Sequence, residues 1–338
     1  MIRIGTIHEF FRYNDWARDA LLPQAARLSD AQLDRPFEMG EGSLRATLRH
    51  LYGSERTWYT RAHGSEPADC PPAHTLHGPD EILQAQRNLA SRRDTQLARA
   101  TDADMTRVVT YTNPKGETYS RAWGDILLHQ CNHGVHHRAQ ALNMLRRVGG
   151  EPPKPGLDYV FMKLQETEPP PLDVDTLQTY FAYADWARDR VHGIAATLTD
   201  EQLDRKFDLG HGSLRATLLH IRLAEEWWYG NWTDTGGRTF PASDERPAIV
   251  ELARLFAQTA AKRNALFGRL TDADLRRPIT VTPRPGVTRV FPLGVSMLQL
   301  CCHGTHHRAH ALNMLRHVGA EVPGLDYVAM LRERAGAQ

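Results

Sequence analysis

The sequence predicts an all-α protein of two tandem four-helix bundles, each with a short β-hairpin or extended crossover before its last helix. Two observations favour this fold. The chain repeats itself at an offset of 170 residues, as from His133 to His303, and apolar residues within each copy recur at three- and four-residue steps. Four such stretches per copy with one long connection are typical of a four-helix bundle.

The first two helices of each copy are predicted from their apolar faces. The first face contains Phe10, Tyr13, Trp16, Ala17 and Leu21. The second contains Leu44, Leu48, Leu51 and Trp58, and Ser43 is the predicted N-cap. Both patterns keep one side of a helix apolar, so both helices are expected to face a core.

The third and fourth helices are predicted at about 79–99 and about 122–148, and the fourth ends at Gly149-Gly150 before Pro152. Between them lies VVTYTNPKGETYS (108–120), an alternating run that Asn113-Pro114 interrupts. This pattern indicates a turn or short hairpin within a long crossover. The second copy has VTPRPGVTRV (281–290) at the same place.

The repeat also predicts the domain bounds. GSLRATLRHLYGSERTWY (42–59) aligns with GSLRATLLHIRLAEEWWY (212–229), and a chain of 338 residues exceeds the usual size of one core. The period is too long for a solenoid unit, so each copy is a whole domain. We expect bundles at 1–164 and 176–338, joined by the proline-rich linker QETEPPPLDVD (165–175).

Composition excludes several classes of function. The formal net charge is +1, with no basic patch for nucleic acid. No apolar run approaches the roughly 18 residues that span a membrane, and the first residues do not form a signal peptide. The four cysteines form no CxxC pair, which is typical of a reducing compartment. We therefore expect a cytoplasmic protein that binds neither nucleic acid nor membrane.

A histidine pair on the predicted fourth helix indicates a metal site. His133 and His137 are four residues apart, so they lie about 40° apart on one helix face, one turn from each other. This spacing lets two imidazoles bind one divalent ion. His303 and His307 repeat it in the second copy.

A third ligand is expected from the second helix of each bundle. His50 and His220 are also separated by 170 residues, and both lie within an apolar helix. A hydrogen-bonded core histidine is the alternative, but the occurrence of a downstream HxxxH in both copies favours a ligand. Three histidines leave at least one coordination position open, as in catalytic metal sites.

Neighbouring residues are candidates for supporting roles. His136 and His306 could compete as ligands or line the pocket, and Gln140 and His310 could support a ligand by a hydrogen bond. Cys131 lies near the opposite side of the helix and is expected in the core, as is Cys301.

Two further pairs carry charge near the predicted sites. Glu55 and Glu225 lie five residues after His50 and His220, about 140° around the helix, so they are expected to miss the metal itself. They are candidate catalytic proton acceptors, and a solvated helix face is the alternative. Arg138 and Arg308 follow the last ligands and would meet either an anionic substrate group or an acidic residue on a neighbouring helix.

These motifs carry a likeness to a known family. The mid-helix histidine followed by NHGVHHRAQ and an LR-x-x-G ending resembles the DinB/YfiT-like superfamily of metal-binding four-helix bundles, over nearly all of both halves. Ala139 replaces the glycine that is usual in the family's HHRGQ-type motif, and the second copy has HHRAH there. All three ligand positions are present in both copies.

The resemblance implies one zinc, nickel or iron ion per bundle. It also implies that the chain is a fused pseudo-dimer, which we expect to be a monomer in solution. Some relatives are S-transferases or isomerases that use bacillithiol, mycothiol or glutathione, and others belong to sulfoxide synthases whose partner domain this chain lacks. The leading hypothesis is therefore a metal-dependent S-transferase acting on a small thiol and an electrophilic substrate. A metal-dependent hydrolase and a non-catalytic, structural metal-binding protein are the alternatives.

Overall fold

In a computed structural model the protein is described at residues 1–113, 115–164, 166, 168–237, 239–241 and 243–336. It forms two compact units, Met1–Leu157 with Asp326–Val328, and Asp158–Leu325 with Ala329–Gln338, called here the first and second domains. Pro114 of the predicted turn and Gln165 and Thr167 of the predicted linker lie outside the described residues, as do the last two residues of the chain.

The first domain has four long helices and one hairpin. The helices and strands are α1 (Ile4–Ala25), α2 (Asp30–Leu33), α3 (Leu44–His63), α4 (Pro79–Leu97), β1 (Val108–Thr112), β2 (Thr118–Ala122) and α5 (Trp123–Arg147). Short 3-10 helices lie at Ala73–Thr75 and Asp102–Thr106. Helices α3 and α5 lie side by side, and α1 contacts both α4 and α5.

The second domain repeats this order. It contains α6 (Tyr159–Lys163), α7 (Val174–Ala195), α8 (Asp200–Asp204), α9 (Leu214–Thr233), α10 (Ile249–Phe267), β3 (Pro278–Arg284), β4 (Val287–Pro292) and α11 (Leu293–His317), with a 3-10 helix at Asp274–Arg276. The last helix is α12 (Tyr327–Gly336), whose first two residues belong to the first domain and the rest to the second. Helix α9 packs against α11 as α3 packs against α5.

The predicted hairpins are present in both domains. Strands β1 and β2 pair antiparallel, with Thr110 opposite Ser120, and β3 pairs antiparallel with β4. A bulge between Val281 and Arg284 makes the second hairpin irregular. The prediction of an all-α fold with a small hairpin before the last bundle helix is confirmed.

Local sequence determines where α3 begins and ends. The Ser43 hydroxyl accepts a hydrogen bond from the backbone N–H of Ala46 at 3.2 Å, which confirms the predicted N-cap. At the other end Gly64 adopts the left-handed conformation, with φ of 73°, in which a side chain would be strained. The short helices α2, α6, α8 and α12 were not predicted, because four to ten residues carry too little periodicity to be recognised.

The core follows the predicted faces. Phe10, Tyr13 and Leu21 of α1 are buried, as are Leu44 and Leu48 of α3. All four cysteines are buried and none forms a disulfide, so the core positions predicted for Cys131 and Cys301 are confirmed. None of the described helices is both long and apolar enough to cross a membrane.

Candidate metal centres

The structure brings the three predicted histidines of the first domain together. His50 lies in the first half of α3, and His133 and His137 lie one turn apart on α5. Because α3 and α5 are neighbours in the bundle, the three rings meet between them. One ring nitrogen from each lies within 4.8 Å of the other two.

The spacing of these nitrogens fits one shared cation. The Nε2 atoms of His50 and His133 are 3.1 Å apart, and the ring centroid of His137 is 4.3 Å from that of His133. A histidine nitrogen lies about 2.0–2.1 Å from zinc, so two ligands at angles of about 90–110° are about 2.9–3.4 Å apart. The buried Nδ1 of His137 has no hydrogen-bond partner among the described residues. The donor set therefore fits a divalent metal ion.

The electrostatic environment keeps the α5 histidines neutral. Burial, with the neighbouring histidines adding to it, lowers the pKa of His133 well below its ordinary value. Burial likewise lowers the pKa of His137 to about 3. A metal ligand must carry a free lone pair, so both imidazoles are ready to bind an ion at neutral pH.

The first centre is open to solvent on the side of α3. The His50 side chain is 34% exposed, and the Glu41 carboxylate from the preceding loop lies 3.7 Å from its Nδ1. That nitrogen is not the one that faces His133, so Glu41 is placed to orient the His50 ring rather than to share the ion.

The second domain assembles a larger cluster. The Nε2 atoms of His220 and His303 are 3.0 Å apart, and the ring of His307 lies 4.4 Å from that of His303. The group of three whose nitrogens lie within 4.8 Å of one another consists of His211, His220 and His307. Burial lowers the pKa of His220 to about 2 and lowers that of His307 well below its ordinary value.

Sequence reasoning missed His211. It selected histidines that recur in both copies, and the counterpart of His211 in the first domain is Glu41. The signal that could have found it is its place in GHGS, the loop immediately before the helix that carries His220.

The two glutamates lie in buried ion pairs on the flank of each bundle. Arg93 of α4 donates from Nη1 to Glu55 Oε1 at 2.8 Å, and Arg263 of α10 donates to Glu225 in the same way. Burial raises the pKa of Glu55 and of Glu225 even though the arginines oppose the shift. The alternative of a solvated helix face does not describe these side chains.

A cavity in the first domain joins this flank to the metal centre. It is lined by Glu55, His133 and Arg138, among others. Arg138 donates from Nη1 to the side chain of Asn14, and its buried Nη2 has no partner among the described residues. Its counterpart Arg308 differs, because its Nη2 donates to hydroxyl groups of the second domain.

The remaining neighbours stay close to the ligands. Gln140 Nε2 lies 3.2 Å from His136 Nε2, and the His136 ring meets His137 edge-on at 5.0 Å. In the second domain His306 and His310 lie with their ring centroids 4.8 Å apart.

Two helical bundles, each with a histidine cluster between the same two helices, define a class of tandem metal-binding bundle proteins. The family model that matches the chain is that of the DinB family, over residues 1–169 and again over 173–336. The chain therefore belongs to the DinB family, as two domains in tandem, and the resemblance noted in the sequence is confirmed. DinB domains are metal-binding. No curated protein matches the chain significantly.

Proposed function

We propose that the first domain is a metal-dependent S-transferase that joins a low-molecular-weight thiol to an electrophilic substrate. The observation that carries this proposal is the geometry of His50, His133 and His137, three imidazoles around one point with an exposed side. Three protein ligands leave a coordination position for a substrate atom, as in catalytic sites. The ion would be zinc, nickel or iron, all of which accept imidazole ligands.

A divalent ion at this position would lower the pKa of a coordinated thiol, so that the thiol reacts as its thiolate. The protein holds the two α5 ligands neutral by burial, which keeps their lone pairs available. Glu41 orients His50 from the solvent side. The two α5 histidines therefore do not have to lose a proton before they bind the ion.

Arg138 supports a substrate that carries a carboxylate. Its Nη2 is buried without a partner among the described residues and lies in the cavity that His133 also lines. A guanidinium nitrogen in that position would bind a carboxylate oxygen strongly. Glutathione and bacillithiol contain such groups. The prediction that Arg138 meets an anionic substrate group is kept for the first domain.

The test is thiol consumption by the metal-loaded full chain. We expect loss of free thiol, dependent on both metal and electrophile, with at least one of glutathione, bacillithiol, mycothiol and cysteine. His137→Ala should abolish turnover, and Arg138→Leu should raise the KM for thiols that contain a carboxylate. Absence of turnover with every thiol and a broad set of electrophiles would contradict the proposal.

A metal-dependent hydrolase is the second candidate, and Glu55 is the observation that favours it. Its carboxylate lines the same cavity as His133, and burial raises its pKa above the ordinary value, which makes it a better proton acceptor than an exposed carboxylate. The ion pair with Arg93 opposes this role, because it stabilises the carboxylate in place. The roles of Glu55 and Glu225 as proton acceptors stay predictions. Ester and amide hydrolysis that is lost in Glu55→Gln would favour the hydrolase.

We also keep as proposals that the protein is a cytoplasmic monomer and that each bundle holds one ion. Size-exclusion chromatography with light scattering measures the oligomeric state directly.

A further inference from the structure

We propose that His211 is a metal ligand of the second centre, which therefore draws on an imidazole where the first centre has the carboxylate of Glu41 and holds its ion more tightly. The two centres of this chain would then differ in their ligands and in their role. The first keeps a position open for a substrate atom, and the second is built to retain its ion. This inference rests on the metal-binding part of the proposed function and does not require thiol transfer at either centre.

The position of the His211 ring carries the inference. Its centroid is 3.7 Å from that of His220, with 25° between the ring planes, and 5.2 Å from that of His307. One nitrogen of each of these three rings lies within 4.8 Å of the other two. His303 joins the same cluster through the 3.0 Å separation between its Nε2 and that of His220. His211 thus belongs to a group of three nitrogens that could share one ion, and His303 adjoins that group through His220.

The loop that presents His211 is held in place by its own hydrogen bonds. Gly212 donates to the carbonyl of Leu209 at 3.0 Å and accepts from Phe207 at 2.9 Å. The backbone N–H of His211 donates to Thr217 Oγ1 at 3.2 Å, which ties the loop to the start of α9. The ligand is therefore delivered by a fixed backbone and not by a free loop, which lowers the entropy lost on binding.

The first domain has the same loop with a different side chain. Gly42 donates to Met39 at 3.0 Å and accepts from Phe37 at 2.8 Å, and Glu41 N–H donates to Thr47 Oγ1 at 3.2 Å. The hydrogen bonds match those of the second domain one for one. The difference between the two centres at this position is therefore the exchange of a carboxylate for an imidazole.

An ion can reach the second centre from solvent. A cleft of about 1670 Å³ is lined by both His211 and His220. A metal site requires an entry path as well as ligands, and this cleft supplies one. The exposed side of the His211 ring faces the solvent, so a substitution there changes a ligand without opening the core.

The experiment is a competition titration of the full-length apo protein with Zn²⁺ and a chromogenic chelator, in the absence of thiol and electrophile. We expect two ions per chain whose affinities differ by at least about tenfold. His211→Glu, which installs the first-domain residue, should bring the tighter ion to the affinity of the weaker one. The reciprocal Glu41→His should raise the affinity of the first centre by a similar factor.

A Co²⁺ titration separates coordination from ring stacking. We expect His211→Ala and His211→Glu to change the visible absorption of one of the two bound ions, because one nitrogen ligand is removed. Circular dichroism verifies that each variant is folded. Unchanged affinity and an unchanged Co²⁺ spectrum in both His211 variants would overturn the inference, as would a Glu41→His chain with no gain in affinity. A failure of thiol transfer would leave these results intact, so the two proposals fail separately.

Discussion

His192, a buried histidine outside the metal centres, should add an acid sensitivity to the second domain that the matching position of the first domain lacks. His192 of α7 is 3% exposed, and its ring centroid lies 5.0 Å from that of Phe256. Neither of its ring nitrogens has a hydrogen-bond partner in the described part of the chain. The residue at the matching position of the first domain is Leu22, which is also buried.

The magnitude follows from the pKa of this group. Burial, with Arg188 adding to it, lowers the pKa of His192 from 6.5 to about 4. In the unfolded chain the histidine binds a proton below about pH 6.5, but in the folded chain it resists the proton down to about pH 4. The stability is therefore present above the unfolded pKa and is lost as pH falls between these values. The full loss is about 3 kcal/mol, of which about 2 kcal/mol is lost by pH 5.

The assay is urea unfolding at pH 7.5 and pH 5.0 for the natural chain and for His192→Leu. The unfolding free energy of the natural chain should fall by about 2 kcal/mol more than that of the variant, since the other titrating groups are common to both. Leu22→His is the matched control and should introduce a similar acid sensitivity into the first domain. Equal pH dependence in the natural chain and in His192→Leu would show that His192 does not cause the acid sensitivity.

Three further predictions concern single residues. His137→Ala should reduce bound metal by about one ion per chain in elemental analysis, because two α5 imidazoles are needed to hold the first ion; two ions retained would exclude this ligand. Arg263→Met should lower the unfolding free energy of the second domain by about 3–5 kcal/mol in urea titrations, because Glu225 would be left buried without its cation; a loss under about 1 kcal/mol would show that the pair matters little. Ser43→Ala should cost about 1 kcal/mol in the first domain through loss of the cap on Ala46, and an unchanged melting curve would disprove the role of that cap.

Much of the fold could be predicted because the sequence contains two copies of the same helical pattern. Apolar periodicity located the long helices, and the interrupted alternating run located the hairpin that β1 and β2 form. Apolar periodicity alone could not predict which helices pack against one another. Periodicity shows which face of α3 is apolar, but not that α5 is the helix that covers it.

The candidate site was likewise predicted in part. The repeat selected His50, His133 and His137, and the fold brings these three side chains together. Their role as ligands stays a prediction. Aligning the two copies could not identify His211, because the matching residue in the first copy is Glu41 and not a histidine. Residues that distinguish two copies are invisible to a search for what the copies share.

The ion-pair partner of Glu55 also could not be predicted from the sequence. Helix geometry placed it about 140° around α3 from His50, away from the ion. It could not show that Arg93 of another helix would meet the carboxylate there. Partners that come from distant parts of a chain depend on tertiary packing, whereas positions on one helix depend on spacing alone.

Each domain is proposed to bind one metal ion through histidine nitrogens. Elemental analysis of the metal-loaded full chain, with X-ray absorption spectroscopy of the bound metal, tests it most directly. We expect two ions per chain, each with nearest-neighbour scattering dominated by imidazole nitrogen at about 2.0–2.1 Å if the metal is zinc. A chain that takes up no ion, or whose ion is bound chiefly by sulfur or carboxylate oxygen, would contradict it.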